Sequence, residues 1–306
     1  MQVVNNVKQI EVKTSDGVSY FHGSWYRGEH TNFIPRKDDL LKPGALEKYI
    51  LQGWEAPAII KKDSKILSFG SCFAQNITKH LQSKGFNVLG KDAPSHIINF
   101  GEGIANTFSI VQQFEWAIEN KNFDHLYWFG PNKEIAFPEE DERIKTKELI
   151  ESADVFIFTL GVSEIWYDKV SGEAFWRAIP SDMFDDEIHG FRVSSVEENI
   201  SNITKVISII EKINPDAKII ITLSPVPLMA TFRPISCLTA SSVSKAILRV
   251  AIDEVVRKEF KNVYYFPSYE IVKEFFIDPM KPDNRHPKPK IIKKIMDVFT
   301  KNYVEQ

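Results

Sequence analysis

Two short stretches, more than two hundred residues apart, carry side chains that together could perform acyl transfer. Ser71 follows a glycine in the run Gly-Ser-Cys-Phe-Ala at 70–74, and Asp283 and His286 stand three residues apart near the carboxyl end. A serine hydroxyl, an imidazole that takes its proton and a carboxylate that orients the imidazole form the triad of serine hydrolases. The residue types and their chain order therefore indicate a serine nucleophile, if the fold brings the two stretches together.

Each stretch also has a purely structural interpretation. Ser71 precedes a helical pattern, and serine is a favoured helix N-cap. Asp283 and His286 lie in a proline-rich loop, where they could form a surface turn, or the aspartate could cap the last helix. Neither stretch alone identifies an active site, and it is their combination with the predicted sheet that favours one.

Five short apolar runs bounded by turn residues predict buried strands. They span residues 65–70, 86–90, 154–161, 217–224 and 263–267, and segments with helical periodicity lie at 72–84, 107–119, 196–213, 241–260 and 288–302. Asn106 and Ser195 stand where N-caps belong. Nearly continuous apolar strands that alternate with helices predict an α/β protein, a three-layer α/β/α sandwich around a five-stranded parallel sheet.

This topology suggests where the site lies. In doubly wound sheets the ligand binds outside the carboxyl ends of the strands. Ser71 follows the first predicted strand, at the positive end of a helix where a developing anion is stabilised. The remaining chain divides into an N-terminal extension, residues 1–60, that wraps the core, and a domain, 61–306, with insertions at about 121–147 and 167–192. Loops of that length are usually functional lids or substrate walls.

Charge and cysteine content exclude several functional classes. Lys plus Arg number 38 and Asp plus Glu 41, a net charge of −3, which argues against general nucleic-acid binding. The two cysteines form no Cys-x-x-Cys pair, the remaining histidines show no metal-ligand spacing, and the apolar runs are too short to span a membrane. No signal peptide is evident at the amino terminus. We expect a cytoplasmic protein without a bound metal.

The run at 70–74 spells the signature of the GSCFA-domain family, which the chain resembles over about residues 60–300. Further similar stretches lie at 66–69, 75–77, 106–110, 159–166, 224–228, 230–232 and 283–287. This family resembles a branch of the SGNH, or GDSL-type, hydrolases. The resemblance implies a flavodoxin-like fold and an activity among esterases, lipases and enzymes that modify carbohydrate acetyl groups. It places Ser71 as nucleophile, His286 as base and Asp283 as the group that orients the base.

The resemblance also implies oxyanion donors after the second and third strands, and here the sequence leaves alternatives open. The second loop offers Gly101 and Gly103 with Asn106 beyond them. After the third strand the chain reads Gly161-Val-Ser163, where the superfamily has Gly-x-Asn. Ser163, Asn106 or a backbone N–H could complete the oxyanion hole.

Three more side chains belong to the predicted site or compete with it. Glu164 either binds substrate or anchors its loop through an ion pair with an arginine, namely Arg177, Arg192 or Arg233. Arg233 itself could line the substrate pocket, beside Thr231 and Phe232. Cys72 is an alternative nucleophile, because a thiol at a helix start has a lowered pKa.

We therefore expect a serine-dependent esterase or O-acyltransferase that acts on a small acyl ester, an acetyl group on a carbohydrate. The alternatives are a Cys72-dependent acyltransferase and a catalytically silent binding module of the same fold. No resident cofactor is required, although a transferase would use an acyl donor such as acetyl-CoA. The expected partner is a small-molecule or carbohydrate substrate rather than nucleic acid, and the sequence does not determine the oligomeric state.

Overall fold

The computed structural model describes residues 9–14, 17–22, 32–70, 72–90, 106–123, 128–129, 135–136, 140–176 and 179–305. The strands, in chain order, are β1 (Gln9–Thr14), β2 (Gly17–His22), β3 (Lys65–Gly70), β4 (Asn87–Val88), β5 (Trp128–Phe129), β6 (Ile135–Ala136), β7 (Val155–Leu160), β8 (Glu164–Asp168), β9 (His189–Val193), β10 (Lys218–Leu223) and β11 (Val263–Phe266). The α-helices are α1 (Cys72–Ser83), α2 (Thr107–Glu119), α3 (Glu140–Ser152), α4 (Val196–Ile213), α5 (Cys237–Val256), α6 (Ser268–Glu270) and α7 (Pro289–Tyr303).

The five predicted strands form one parallel sheet in the spatial order β4, β3, β7, β10 and β11. Each strand matches its predicted run to within about two residues at either end, because turn residues limit the apolar stretches. Numbered along the chain, the order is 2-1-3-4-5, the flavodoxin-like arrangement, and it changes direction between β3 and β7. The predicted fold class is confirmed.

Helices cover both faces of the sheet, because alternate residues of each strand point to opposite sides. Ile66 of β3 belongs to a buried cluster that contains residues of α1 and α7. The next residue, Leu67, belongs to a second cluster, with residues of α2, α3, α4 and α5. The two clusters are the two interfaces of the three-layer sandwich.

Both predicted N-caps are confirmed. The Asn106 side chain accepts a hydrogen bond from the Ser109 amide at 2.8 Å. Ser195 and Glu198 form a capping box, in which the Ser195 hydroxyl accepts from the Glu198 amide and the Glu198 carboxylate accepts from the Ser195 amide. These bonds satisfy backbone donors that a helix start leaves free.

Two regions expected as irregular insertions contain regular structure. The first ends in α3, a polar helix whose buried residues are Thr146 and Ile150, too narrow a stripe to produce a clear periodicity. Acidic residues in its first turn favour the helix through its dipole. The second is framed by the antiparallel pair β8 and β9. Several residues of the first insertion (124–127, 130–134 and 137–139) lie outside the described part of the chain.

Helix α5 begins at Cys237, four residues before the predicted start, and ends at Val256 rather than residue 260. Its first turn is largely exposed, with Leu238 at 68%. An exposed turn carries no apolar periodicity, which explains why the sequence pattern placed the start too late.

The chain forms two compact units, residues 1–45 and residues 46–306. The first contains the antiparallel hairpin of β1 and β2 and a 3₁₀ turn, Asp39–Leu41. The second contains all five strands of the parallel sheet. The wrapping of the core by residues 1–60 stays a prediction. Among the residues that the structure describes, none of the helices is both long and apolar enough to cross a bilayer.

Gly70 should be indispensable for the end of β3. Its φ is +128°, and a Cβ there would lie 2.1 Å from the carbonyl oxygen of Thr159 on β7. We expect Gly70→Ala to lower the free energy of unfolding by about 3 kcal/mol or more, from backbone strain and the clash together.

Gly172→Ala is the matched control, because Gly172 has a φ of +77° but a Cβ added there would meet no atom within 4 Å. It should cost about 1 kcal/mol. Urea unfolding followed by circular dichroism measures both variants, and equal losses would contradict the steric argument.

Candidate active site

The strand order of the sheet reverses between β3 and β7, and β3 ends there in a glycine. Gly70 pairs with Thr159 in the sheet register, so the carboxyl ends of β3 and β7 lie side by side. Its chain neighbour on the far side, Ser71, lies outside the described residues, and Cys72 begins α1. The predicted nucleophile therefore directly follows the end of β3 that lies beside β7.

Asp283 and His286 face each other within one loop. Asp283 Oδ2 lies 2.8 Å from His286 Nδ1, and Oδ1 accepts from the backbone amides of His286 at 3.0 Å and Arg285 at 2.9 Å. The amide and imidazole of His286, followed by the amide of Arg285, hold the pKa of the Asp283 carboxyl well below its usual range. An ionised carboxylate only accepts hydrogen bonds, so Nδ1 is the donor in this pair, and in the neutral ring Nε2 then holds the free lone pair.

The loop itself is closed by backbone bonds. The Lys281 amide donates to the His286 carbonyl at 2.8 Å, the Asn284 amide donates to Lys281, and Asn284 takes a left-handed conformation with φ of +54°. Asparagine tolerates that region better than most residues. Lys288, not Asp283, occupies the N-cap of α7. Asp283 therefore does not cap the last helix, and its hydrogen bonds orient the histidine.

The segment 161–163, directly after β7, is held from two sides. The Ser163 amide donates to Ser244 Oγ at 2.9 Å, and Lys245 Nζ donates to the Gly161 carbonyl at 2.8 Å, both from α5. Ser194, just after β9, donates its amide and its hydroxyl to the Ser163 carbonyl. The Ser163 hydroxyl is fully buried and has no hydrogen-bond partner among the described residues.

The other predicted oxyanion donors have different surroundings. Asn106 is buried, and its Oδ1 accepts the capping bond of α2, while its NH₂ group is the part of the side chain that can donate to a ligand. Gly101 and Gly103 lie outside the described residues.

Glu164 opens β8 and binds a threonine. Its Oε1 accepts from Thr231 Oγ1 at 3.0 Å, and Thr231 in turn accepts from the Arg233 amide. Arg192 forms its ion pair with Glu198 instead, and Arg177 lies outside the described residues. Glu164 therefore anchors the loop after β10 through a neutral partner. One guanidinium nitrogen of Arg233, Nη1, is buried without a partner among the described residues.

Four aromatic side chains line the same loops. The Phe232 ring lies 4.8 Å from Trp166 and 5.3 Å from Phe191, and Trp166 lies 5.6 Å from Phe184. We call these four residues the aromatic wall. Phe232 is 63% exposed and Phe184 49%. The wall follows the carboxyl ends of β7 and β10 and presents apolar ring surface to solvent.

The loop that holds Asp283 lies toward the carboxyl edge of the sheet. The end of α7 is bonded to residues that lead into the amino end of β3, since the amides of Ile59 and Ile60 donate to the Tyr303 carbonyl at 2.9 and 2.8 Å. The ends of α1 and α7 also meet, where His80 Nε2 lies 2.8 Å from Thr300 Oγ1. Because α1 begins where β3 ends, α7 and the Asp283 loop before it begin toward that same edge. The separation of the Ser71 hydroxyl from the imidazole lies outside the described residues.

Sequence reasoning did not identify Ser244 and Lys245. Both lie on the buried stripe of α5 with Leu248 and Ile252. The sequence did show polar residues on an otherwise apolar helix stripe. Because burial of an ammonium group costs free energy, such a lysine could have been singled out as a candidate.

The GSCFA family model matches residues 65–299. No curated protein matches the chain. Among solved structures, a GDSL-like lipase from Bacteroides thetaiotaomicron is 10% identical with a TM-score of 0.40, and the match covers 83% of this chain and 94% of that one. The Clostridium thermocellum family 3 carbohydrate esterase is 14% identical with a TM-score of 0.37, over 79% and 95%. A GDSL-like protein from Bacteroides ovatus is 14% identical with a TM-score of 0.39, over 78% of this chain and about half, 52%, of its own length.

The ionised state of Asp283 predicts how the loop responds to acid. Because its pKa is lower in the folded chain than in the unfolded one, near 3.9, the carboxylate stabilises the loop above that pH, and the stabilisation is lost as pH falls through the folded pKa. We expect the Arg285 and His286 amides to stay protected from hydrogen exchange, relative to intrinsic rates, from pH 7 down to pH 4. Asp283→Ala should remove that protection throughout, and loss of protection in the wild type already at pH 5 would contradict the assignment.

Proposed function

We propose that this chain, which belongs to the GSCFA family, is a serine-dependent esterase or O-acyltransferase that acts on a small acyl group. The observation that carries the proposal is the pair Asp283 and His286, hydrogen-bonded at 2.8 Å in the loop that leads into α7. Ser71 of the family signature follows β3, at the carboxyl edge of the sheet toward which α7 begins.

In the proposed reaction Ser71 Oγ attacks the carbonyl carbon of the ester, and its proton moves to His286 Nε2. Asp283 stabilises the imidazolium through its bond to Nδ1. The tetrahedral intermediate expels the alcohol, which takes the proton from His286, and an acyl-serine remains. A second acceptor, activated by His286, then releases the acyl group and restores the serine. Water as that acceptor makes a hydrolase, and a sugar hydroxyl makes a transferase with a donor such as acetyl-CoA.

Ser163 is the proposed side-chain donor to the oxyanion. Its hydroxyl is buried and free of described partners, in the segment just beyond β7. A buried donor without a partner is costly in a folded protein, and a catalytic role is one of the explanations for such a group. The NH₂ group of Asn106 and a backbone N–H are the other proposed donors, since such groups stabilise the charge that develops on the carbonyl oxygen.

A carbohydrate is the proposed carrier of the acyl group. The exposed rings of Phe232 and Phe184 offer flat apolar surfaces to a sugar ring. Glu164 and the unpartnered guanidinium nitrogen of Arg233 supply polar groups for hydroxyls beside them. The apolar rings and the polar groups together fit a ligand that has both an apolar face and hydroxyl groups, as a sugar does.

The nucleophile is tested by single substitutions with a fluorophosphonate probe. We expect wild type and Cys72→Ala to gain one covalent adduct on the peptide that contains Ser71, and Ser71→Ala to gain none. Hydrolysis of p-nitrophenyl acetate should fall at least about 10³-fold in Ser71→Ala, because removal of a triad member leaves only residual catalysis. Mass spectrometry locates the adduct.

Loss of labelling in Cys72→Ala alone would identify the Cys72 thiol, rather than Ser71, as the nucleophile. A folded wild-type protein that reacts with neither the probe nor acetyl esters would favour the silent binding module.

Asp283→Asn tests whether Asp283 orients the His286 ring, because the substitution should leave the fold intact. It keeps the shape of the side chain but removes its charge and disturbs the tautomer of His286, so kcat should fall by about 10³- to 10⁴-fold. The melting temperature should change little, because both side chains are substantially exposed, at 47% and 38%. Asp278→Asn is the control: this exposed aspartate pairs with Lys288 in the same loop region and should retain full activity. Equal activity of the two variants would exclude Asp283 from the triad.

A further inference from the structure

Lys245 is a buried lysine without a carboxylate partner. It is 4% exposed, and its hydrogen bond to the Gly161 carbonyl at 2.8 Å is its only one among the described residues. Within the part of the chain that the structure describes, the charged groups that affect it are Lys273, in the turn after α6, and Arg285, in the loop before α7, and both are cations. No described carboxylate forms an ion pair with Lys245.

Such a position is unfavourable for stability. Burial, followed by the charges of Lys273 and Arg285, lowers the pKa of Lys245 to about 7. A buried charge that lacks an opposite charge costs free energy, and an apolar side chain of similar size would usually be tolerated as well or better. The residues next to it on the stripe, Leu248 and Ile252, are apolar and fully buried. Lys245 is therefore placed for something other than packing.

The hydrogen bonds around Lys245 indicate that it helps to hold the segment 161–163. Lys245 holds the Gly161 carbonyl, the neighbouring Ser244 hydroxyl holds the Ser163 amide, and Ser194 holds the Ser163 carbonyl. These bonds hold three backbone groups of the segment, while the Ser163 hydroxyl stays without a described partner. When the backbone of a short segment is fixed, the Cα atom from which each side chain extends is fixed as well.

We propose that Lys245 is a positioning residue, which together with Ser244 holds the 161–163 segment so that the Ser163 hydroxyl donates to the oxyanion. This inference rests on the proposed function. It assigns no contact between Lys245 and substrate, because the ammonium acts through its bond to the Gly161 carbonyl.

The test compares Lys245→Met with Lys218→Met. Lys218 also donates to a neutral oxygen, that of Asn262 at 2.7 Å, but from the amino end of β10, at the opposite edge of the sheet. With p-nitrophenyl acetate, Lys245→Met should lower kcat by about 10- to 100-fold with KM within about twofold of wild type, since misplacement of a group by about 1 Å has that effect. Lys218→Met should retain kcat. A folded Lys245→Met with wild-type kcat, or an equal loss in Lys218→Met, would overturn the proposal.

Amide hydrogen exchange tests the positioning without reference to activity. Lys245→Met should accelerate exchange of the Ser163 and Ser194 amides at least about 10-fold, while amides in the centre of β10 keep wild-type rates. Unchanged exchange at Ser163 would overturn the inference even if the enzyme is active. If the wild type reacts with neither probe nor ester, the proposed function fails, and the exchange result alone decides whether Lys245 holds the segment.

Ser244→Ala is the second variant, in case Lys245→Met does not fold. It removes the acceptor of the Ser163 amide without touching a charge and should lower kcat about 3- to 10-fold, again with little change in KM. Wild-type kcat and unchanged exchange at Ser163 in this variant would contradict the role of the α5 pair.

Discussion

The close approach of β3 and β7 at Gly70 and Thr159 is the constraint on which the candidate site depends. Any side chain at position 70 would meet the Thr159 carbonyl, so the two strand ends can lie side by side only because residue 70 is glycine. The sheet reverses its strand order at this place. In doubly wound sheets ligands bind at such a place, because consecutive connections leave toward opposite faces. Backbone sterics thus determine where a nucleophile after β3 can work.

The groups of the candidate site are held in place by different means. The histidine is oriented by a carboxylate within its own loop, with two bonds from His286 and one from the Arg285 amide to Asp283, so its geometry depends on a few consecutive residues. The 161–163 segment is oriented by α5 and by the residue after β9, which come from distant parts of the chain. The first arrangement is local and exposed, and the second is buried and requires the assembled core.

The sequence predicted the sheet and most helices because their signals are local. Apolar runs and caps such as Asn106 and Ser195 report backbone preference and burial within a few residues. The polar helix α3 and the pair β8 and β9 were not predicted. The helix buries too few residues to show an apolar period. Strands β8 and β9 are over twenty residues apart, and the sequence of either strand alone does not show that they pair.

For the site, the sequence by itself determined the residue types, their order and the family, and it predicted that Asp283 and His286 face each other. The tertiary structure alone decided that Glu164 binds Thr231 rather than an arginine, and that α5 supplies Lys245 to the end of β7. A side chain's local context specifies which bonds it can form. Its actual partner depends on which faces of distant elements pack together, and that depends on the burial of the whole core.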